Sequence, residues 1–206
     1  KEGGFYTLRQ QGRNPLTKRE LDKFGYSSVN KAKNADVYVF QKSNFNTSPD
    51  LYVTQNLWKS AQKLTDINPQ MRDYNWGTAE MFEWTTFDGK PSKGILYKPE
   101  NFDPNKKYPL MIYFYEQHSD DLYQYFTPAP SRSTVNIPFF VSRGYVVFTP
   151  DIHYGVGKPG PDAYNYVVSA AQSLAKNSWI DSENMAIQGQ SWGGYQVAYI
   201  ITQTDM

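Results

Sequence analysis

Ser191 stands in the run Gly189-Gln190-Ser191-Trp192-Gly193-Gly194, fifteen residues before the last residue of the chain. A serine hydroxyl attacks a carbonyl carbon only when a base takes its proton. Glycines two positions to either side allow a sharp turn that exposes the serine oxygen. The same turn presents the backbone N–H of Trp192, a donor for the negative charge that develops on an attacked carbonyl oxygen. Such an oxyanion needs a second donor, and Tyr115 is the candidate. It closes the apolar run Pro109 to Tyr115, so its side chain belongs at the end of a strand. By position alone, a tyrosine at a strand end is usually an amphipathic rim residue.

The elements around Ser191 must support this chemistry for it to occur. Asn184 to Gln188 reads as a short strand entering the turn. Trp192 to Thr202 reads as a helix leaving it, with Gly194 and Ala198 small enough for close packing. A Gly-x-Ser-x-Gly run in that context is the nucleophile elbow of the α/β-hydrolases, in which the chain order is serine, acid, histidine. The plain alternative is a strand-to-helix turn capped by serine. The two histidines, His118 and His153, both precede Ser191. Each reads as a loop residue that hydrogen-bonds locally rather than as the base. Asp151 reads as a turn or cap residue rather than as the triad acid. The expectation is a nucleophile whose acid and base lie outside the chain.

Other groups carry less. Glu116, Asp120 and Asp121 form an acidic cluster after Tyr115, read as a solvated loop that could meet a cationic substrate end. The run Gly155-Val156-Gly157-Lys158-Pro159-Gly160 lacks the phosphate-loop pattern, and no metal-ligand spacing appears. Asn46-Thr47-Ser48 is a sequon of a kind that occurs by chance. No cofactor and no metal are expected.

The segments before the elbow alternate between apolar runs and helical patterns. Met81 to Phe87 is a strand, Asp88-Gly89 a hairpin turn, and Gly94 to Tyr97 the returning strand. Pro109 to Tyr115 and Tyr145 to Thr149 are continuous apolar runs of the buried-strand kind. Val135 to Ser142 reads as a helix closed by Gly144, although Pro138 weakens it. Pro161 to Lys176 reads as a helix with Ala163, Val167, Ala170 and Leu174 on one face. The pattern predicts an α/β fold: a mostly parallel sheet with helices on both faces, made mixed by the opening hairpin.

The first third differs. Thr17-Lys18-Arg19-Glu20 fits a capping box for a short helix ended by Gly25. Strand-like runs follow at Val37 to Gln41, Leu51 to Thr54 and, more weakly, near Leu64. Turn clusters at Asn44 to Asp50 and Asn56 to Ser60 separate them, as in an antiparallel meander. The meander is too small for an independent all-β domain. The expected boundary falls near Gln70 to Gly77, giving regions 1–69 and 70–206.

Composition bounds the alternatives. The chain has 206 residues, 39% hydrophobic and 20% charged, with a net charge of +1. A balance so near zero argues against nucleic acid or acidic membrane as partner. No run approaches the ~18 apolar residues of a membrane helix. Cysteine is absent, which excludes disulfides and thiolate metal sites but does not fix the compartment. Both ends read as cuts through a longer protein. The strand before the elbow should then expose an unfinished sheet edge, making the chain prone to association or dependent on a partner.

Four stretches together resemble the prolyl oligopeptidase family of serine peptidases, especially its dipeptidyl-peptidase-like bacterial members. They are Trp84-Thr85-Thr86-Phe87-Asp88-Gly89, then Pro99-Glu100-Asn101-Phe102-Asp103-Pro104 with Lys106-Lys107-Tyr108-Pro109-Leu110, then Gly144-Tyr145-Val146-Val147-Phe148-Thr149-Pro150-Asp151, and Gly189-Gln190-Ser191-Trp192-Gly193-Gly194-Tyr195. The resemblance runs from about Asp50 to the end. It implies the N-terminal half of an α/β-hydrolase domain preceded by the last strands of a β-propeller. It implies Ser191 as nucleophile, Tyr115 as the side-chain oxyanion donor and the Trp192 N–H as the backbone donor. Two stretches depart from the family: Glu116 stands where glycine or alanine is usual, and His153-Tyr154-Gly155 replaces an arginine-glycine stretch. Both bear on substrate preference more than on reaction type. The family's paired glutamates, which bind a substrate amino terminus in dipeptidyl peptidases, lie in the propeller and are not visible here.

The resulting expectation is a serine peptidase that cleaves short peptides through an acyl-enzyme on Ser191, inactive as this chain alone. A carboxylesterase on the same fold and a non-catalytic interaction domain remain as alternatives, because fold does not settle function. A peptide is the expected partner. Homo-oligomerisation of the longer protein stays open, and the resemblance leans toward an extracytoplasmic or periplasmic location.

Overall fold

The computed structural model describes residues 2–7, 17–55 and 60–205. The chain divides into two compact units: one made by the described residues up to Asp73 with Tyr123–Tyr125, the other by Tyr74–Leu122 and residues from Phe126 onward.

In the first unit, β1 (Gly3–Thr7) pairs antiparallel with β2 (Thr17–Asp22). A four-stranded antiparallel meander follows in the order β3 (Gly25–Lys31), β4 (Val37–Asn44), β5 (Thr47–Gln55) and β6 (Ser60–Lys63). The expected helix at Thr17 to Glu20 is instead strand β2. Its backbone pairs with β1, as in Glu20 opposite Phe5, and ladder pairing overrides a local capping signal of about 1 kcal/mol. The turn expected over Asn44 to Asp50 is tighter, because Asn44 already pairs with Thr47. The other expected turn lies mostly outside the described residues. Phe40 is fully buried. Its ring meets those of Phe5, Tyr26 and Tyr52 at centroid distances of 5.8, 5.7 and 5.9 Å.

The second unit is built on a five-stranded sheet. Strands β7 (Thr78–Thr85) and β8 (Pro91–Lys98) form the hairpin expected at Asp88-Gly89. Then come β9 (Tyr108–Tyr113), the short helix α1 (Ile137–Val141), β10 (Val146–Pro150), α2 (Pro159–Ala175), β11 (Ile180–Gln188) and α3 (Trp192–Ile200). Pro138 lies in the first turn of α1, where a missing N–H costs nothing, and Asn136 caps that turn by accepting from Phe139 N at 3.1 Å.

The sheet order is β11-β9-β10-β8-β7. Strands β11, β9 and β10 are parallel, whereas β8 is antiparallel to both β10 and β7. Every residue of β10 is buried, which explains the apolar run Val146 to Phe148. Ala163, Val167, Ala170 and Leu174 of α2 are at most 1% exposed and face the core with Leu110, Ile112, Phe114 and Phe148. At about 25 cal/mol per Å² of apolar surface, burial of this kind is the main stabilisation of the unit. Among the described residues β11 has one paired neighbour and forms the sheet edge.

Register aligns the parallel strands at their carboxyl ends. Ile112 pairs with both Phe148 and Ile187, and Tyr113 pairs with Gln188. The segments after β9, β10 and β11 therefore leave from one edge, the edge where sites in such sheets gather. Those segments begin with Phe114, Asp151 and Gly189.

Candidate active site

Ser191 occupies the turn between β11 and α3 with φ 55° and ψ −113°. That region is sparsely populated for any residue with a Cβ and costs on the order of 1–3 kcal/mol. The hydroxyl makes no cap bond to α3, so an ordinary serine-capped turn does not describe this site. The side chain is exposed. The turn is held by backbone bonds from Gly193 N to Gln190 O at 2.9 Å and from Tyr195 N to Ser191 O at 3.1 Å.

The two flanking glycines are required by space. A Cβ on Gly189 would lie 2.4 Å from the carbonyl carbon and oxygen of Gly193. A Cβ on Gly193 would lie 2.6 Å from Phe114 O and 3.9 Å from the Cα of Tyr115. The start of α3 thus presses directly on the segment that follows β9. This brings the backbone of Tyr115 beside the elbow, although 76 positions separate Tyr115 from Ser191 (191 − 115). Trp192 is the first residue of α3, and the first N–H groups of a helix have no intrahelical acceptor.

Tyr115 is 37% exposed. Its carbonyl oxygen accepts from the Tyr154 hydroxyl at 2.7 Å and from Gln196 Nε2 at 3.4 Å. The segments after β9 and β10 are joined at further points. Ile152 N donates to Glu116 O at 2.8 Å. The Asp151 carboxylate, 2% exposed, accepts from His118 N and Ser119 N, each at 2.7 Å. Asp151 therefore acts as a loop cap, as its position in the sequence suggests.

Both histidines are engaged away from Ser191. His153 Nδ1 lies 3.1 Å from Gln117 Nε2, and its ring packs edge-on against Tyr166 at 5.8 Å. His118 Nδ1 is 3.7 Å from Asp121 Oδ2, and its ring lies 5.7 Å from that of Tyr113. Among the described residues neither histidine hydrogen-bonds Ser191. No cluster that could hold a metal ion occurs among the described residues.

Two residues of the site escape a reading by motif. Tyr154 entered only as part of a departure from a family pattern, and Gln196 did not enter at all. Gln196 is fully buried. The available signal was a polar side chain in the middle of the otherwise small and apolar run Trp192 to Ile201, since a buried amide must find partners. Its Nε2 reaches the Tyr154 hydroxyl at 2.5 Å. Burial, opposed by contacts from Gln196 and Trp192, pushes the Tyr154 phenol up to about 12.

The family model of the prolyl oligopeptidase family matches residues 130–206, the stretch that contains α1 through α3 and the elbow. The match places residues 130–206 with the prolyl oligopeptidase family. Among curated members, the chain is 25% identical over 183 residues to dipeptidyl-peptidase 5 of Porphyromonas gingivalis, an alignment covering 82% of this chain and 26% of that protein. It is 33% identical over 147 residues to a probable dipeptidyl-peptidase 5 of Aspergillus terreus, covering 66% of this chain and 18% of that one. The chain thus spans about a quarter or less of these relatives.

Solved structures of this family's kind share the fold. Dipeptidyl peptidase 4 of Porphyromonas gingivalis aligns over 95% of this chain and 29% of its own, with a TM-score of 0.69 at 20% identity. The acylaminoacyl peptidase of Pyrococcus horikoshii aligns over 98% of this chain and 32% of its own, with a TM-score of 0.70 at 14% identity. The architecture is therefore that of these peptidases: antiparallel propeller strands followed by the first part of an α/β-hydrolase sheet.

Proposed function

We propose that this chain carries the nucleophile and oxyanion hole of a serine peptidase acting on short peptides. The single observation that carries the reading is the backbone of Ser191: a strained φ of 55° at the head of α3, with a hydroxyl not used for capping. Such strain persists where the surroundings over-determine it, and it clusters at working sites.

In the proposed reaction, Ser191 Oγ attacks the scissile carbonyl carbon and its proton passes to a base. The carbonyl oxygen becomes an oxyanion held by the Trp192 N–H and the Tyr115 hydroxyl. Collapse breaks the C–N bond, the proton goes to the leaving amine, and water then hydrolyses the acyl-serine. Neither His118 nor His153 hydrogen-bonds Ser191 among the described residues, and the base and its acid are assigned to residues outside these 206. The named relatives support a dipeptidyl-type preference.

The test is labelling of the full-length protein with a serine-directed fluorophosphonate, alongside peptide turnover. Labelling and turnover that both vanish in Ser191→Ala are expected. Labelling that survives the substitution overturns the assignment. The 206-residue chain alone is expected to show no more than trace turnover. Substantial turnover lost on replacing either histidine would reassign the base to this chain.

A further inference from the structure

Tyr154 and Gln196 come from different elements, the segment after β10 and the second turn of α3. Both converge on the carbonyl oxygen of Tyr115, which belongs to the segment after β9. The Tyr154 hydroxyl donates to that oxygen at 2.7 Å. Gln196 Nε2 donates to the Tyr154 hydroxyl at 2.5 Å and lies 3.4 Å from the same carbonyl. Gln196 is fully buried, and its Oε1 has no hydrogen-bond partner among the described residues. A buried amide that spends its donor side on this one point and leaves its acceptor unpaired is costly, so packing alone does not explain it.

The surroundings stiffen the arrangement. The Tyr154 ring meets Trp192 edge-on at 6.1 Å, and Trp192 in turn meets Tyr195 at 5.7 Å. Ile152 N to Glu116 O locks the two segments two residues before Tyr154 and one after Tyr115. The Tyr154 phenol is pushed up to about 12, so it remains a donor throughout the neutral range.

We infer that Tyr154 and Gln196 are positioning residues that fix the backbone of Tyr115 relative to the helix bearing Ser191, and so aim the Tyr115 hydroxyl at the oxyanion. This rests on the proposed role of Tyr115. Neither side chain need touch the substrate. Their effect passes through where the Tyr115 Cα is held, beside Gly193 and two residues from the nucleophile.

The test is a mutant cycle in the full-length protein, with kcat and KM measured on a chromogenic dipeptide substrate. Tyr154→Phe removes one oxygen and keeps the ring. It should lower kcat by roughly 10- to 100-fold with little change in KM, as expected for misplacing a catalytic group by about 1 Å. Gln196→Met should act in the same direction. In a Tyr115→Phe background the further loss from Tyr154→Phe should shrink to under about 3-fold, because the group being aimed is gone.

If Tyr115→Phe itself leaves kcat unchanged, the oxyanion role of Tyr115 fails, and this inference with it. If Tyr115→Phe lowers kcat but Tyr154→Phe and Gln196→Met do not, only the positioning role fails. A Tyr154→Phe loss of equal size in both backgrounds also overturns it. Thermal unfolding of each variant separates these outcomes from loss of fold. A kcat loss in folded protein counts for the inference only when the cycle is non-additive.

Discussion

Gly193 lies against the carbonyl oxygen of Phe114 so closely that a Cβ on it would sit 2.6 Å away. This contact joins the first turn of α3 to the end of β9. It sets the approach of Ser191 to the segment carrying Tyr115. Phe114 is held in turn by its N–H to Gln188 O at 3.3 Å, on the strand that enters the elbow.

The neighbouring glycine provides a control. A Cβ on Gly194 would meet its nearest atom, Gly189 O, at an ordinary 3.6 Å. Gly193→Ala is therefore expected to cost about 1–3 kcal/mol by forcing backbone apart and to slow fluorophosphonate labelling. Gly194→Ala should leave both nearly unchanged. Urea unfolding and labelling rates on the two variants check this, and equal behaviour would remove the Phe114 contact as the reason for glycine.

Tyr115→Phe keeps the ring and removes the proposed donor. A loss of kcat on the order of 100-fold at nearly constant KM is expected, the signature of an interaction made only in the transition state. A rise in KM alone would instead place the hydroxyl on the ground-state substrate. Steady-state kinetics on the full-length protein distinguish the two.

The Asp151 carboxylate holds His118 N and Ser119 N in a site that is 2% exposed. Asp151→Ala leaves both donors unpaired and should destabilise the unit by about 1–3 kcal/mol. Asp151→Asn retains an acceptor oxygen and should cost less. The order of the midpoints in denaturant is the measurement, and an alanine variant as stable as wild type would contradict the cap.

In the antiparallel unit, Asp50 of β5 accepts from Thr65 Oγ1 at 2.7 Å and Ile67 N at 3.0 Å, and pairs with Lys63 Nζ at 2.7 Å. Burial pushes its carboxyl up, but the bonds from Lys63, Thr65 and Ile67 outweigh it and hold the carboxyl below its ordinary value. A depressed carboxyl contributes stability above its unfolded value of about 3.9 and loses it as pH falls through the folded value. Asp50→Asn should therefore weaken amide protection of β5 and β6 at pH 7, and the gap from wild type should close below about pH 3.9. Hydrogen exchange at the two pH values reads this directly. A gap that persists in acid would show that the carboxylate charge is not the source.

The second unit was legible in sequence wherever one physical signal dominated. Val146 to Phe148 is apolar throughout because both faces of a central strand are covered. The spacing of Ala163, Val167, Ala170 and Leu174 marks the stripe of α2 that enters the core. Asp88-Gly89 marks a turn by its chemistry alone. Thr17 to Glu20 misled, because a capping signal is local and weak, whereas pairing with β1 depends on a strand ten or more residues away.

The elbow is written in local pattern: glycines at 189 and 193 around Ser191, a strand before and a helix after, with no histidine between Ser191 and residue 206. These are short-range facts, encoded in backbone freedom and hydrophobic period. What surrounds the serine depends on the packed fold. Parallel register brings the segments after β9, β10 and β11 to one edge. There Tyr154 and Gln196 meet at the Tyr115 carbonyl, while His118 and His153 turn to other partners. Hydrogen bonds between residues 39 to 81 positions apart leave no periodic trace in the sequence, because each depends on where the sheet places its partner.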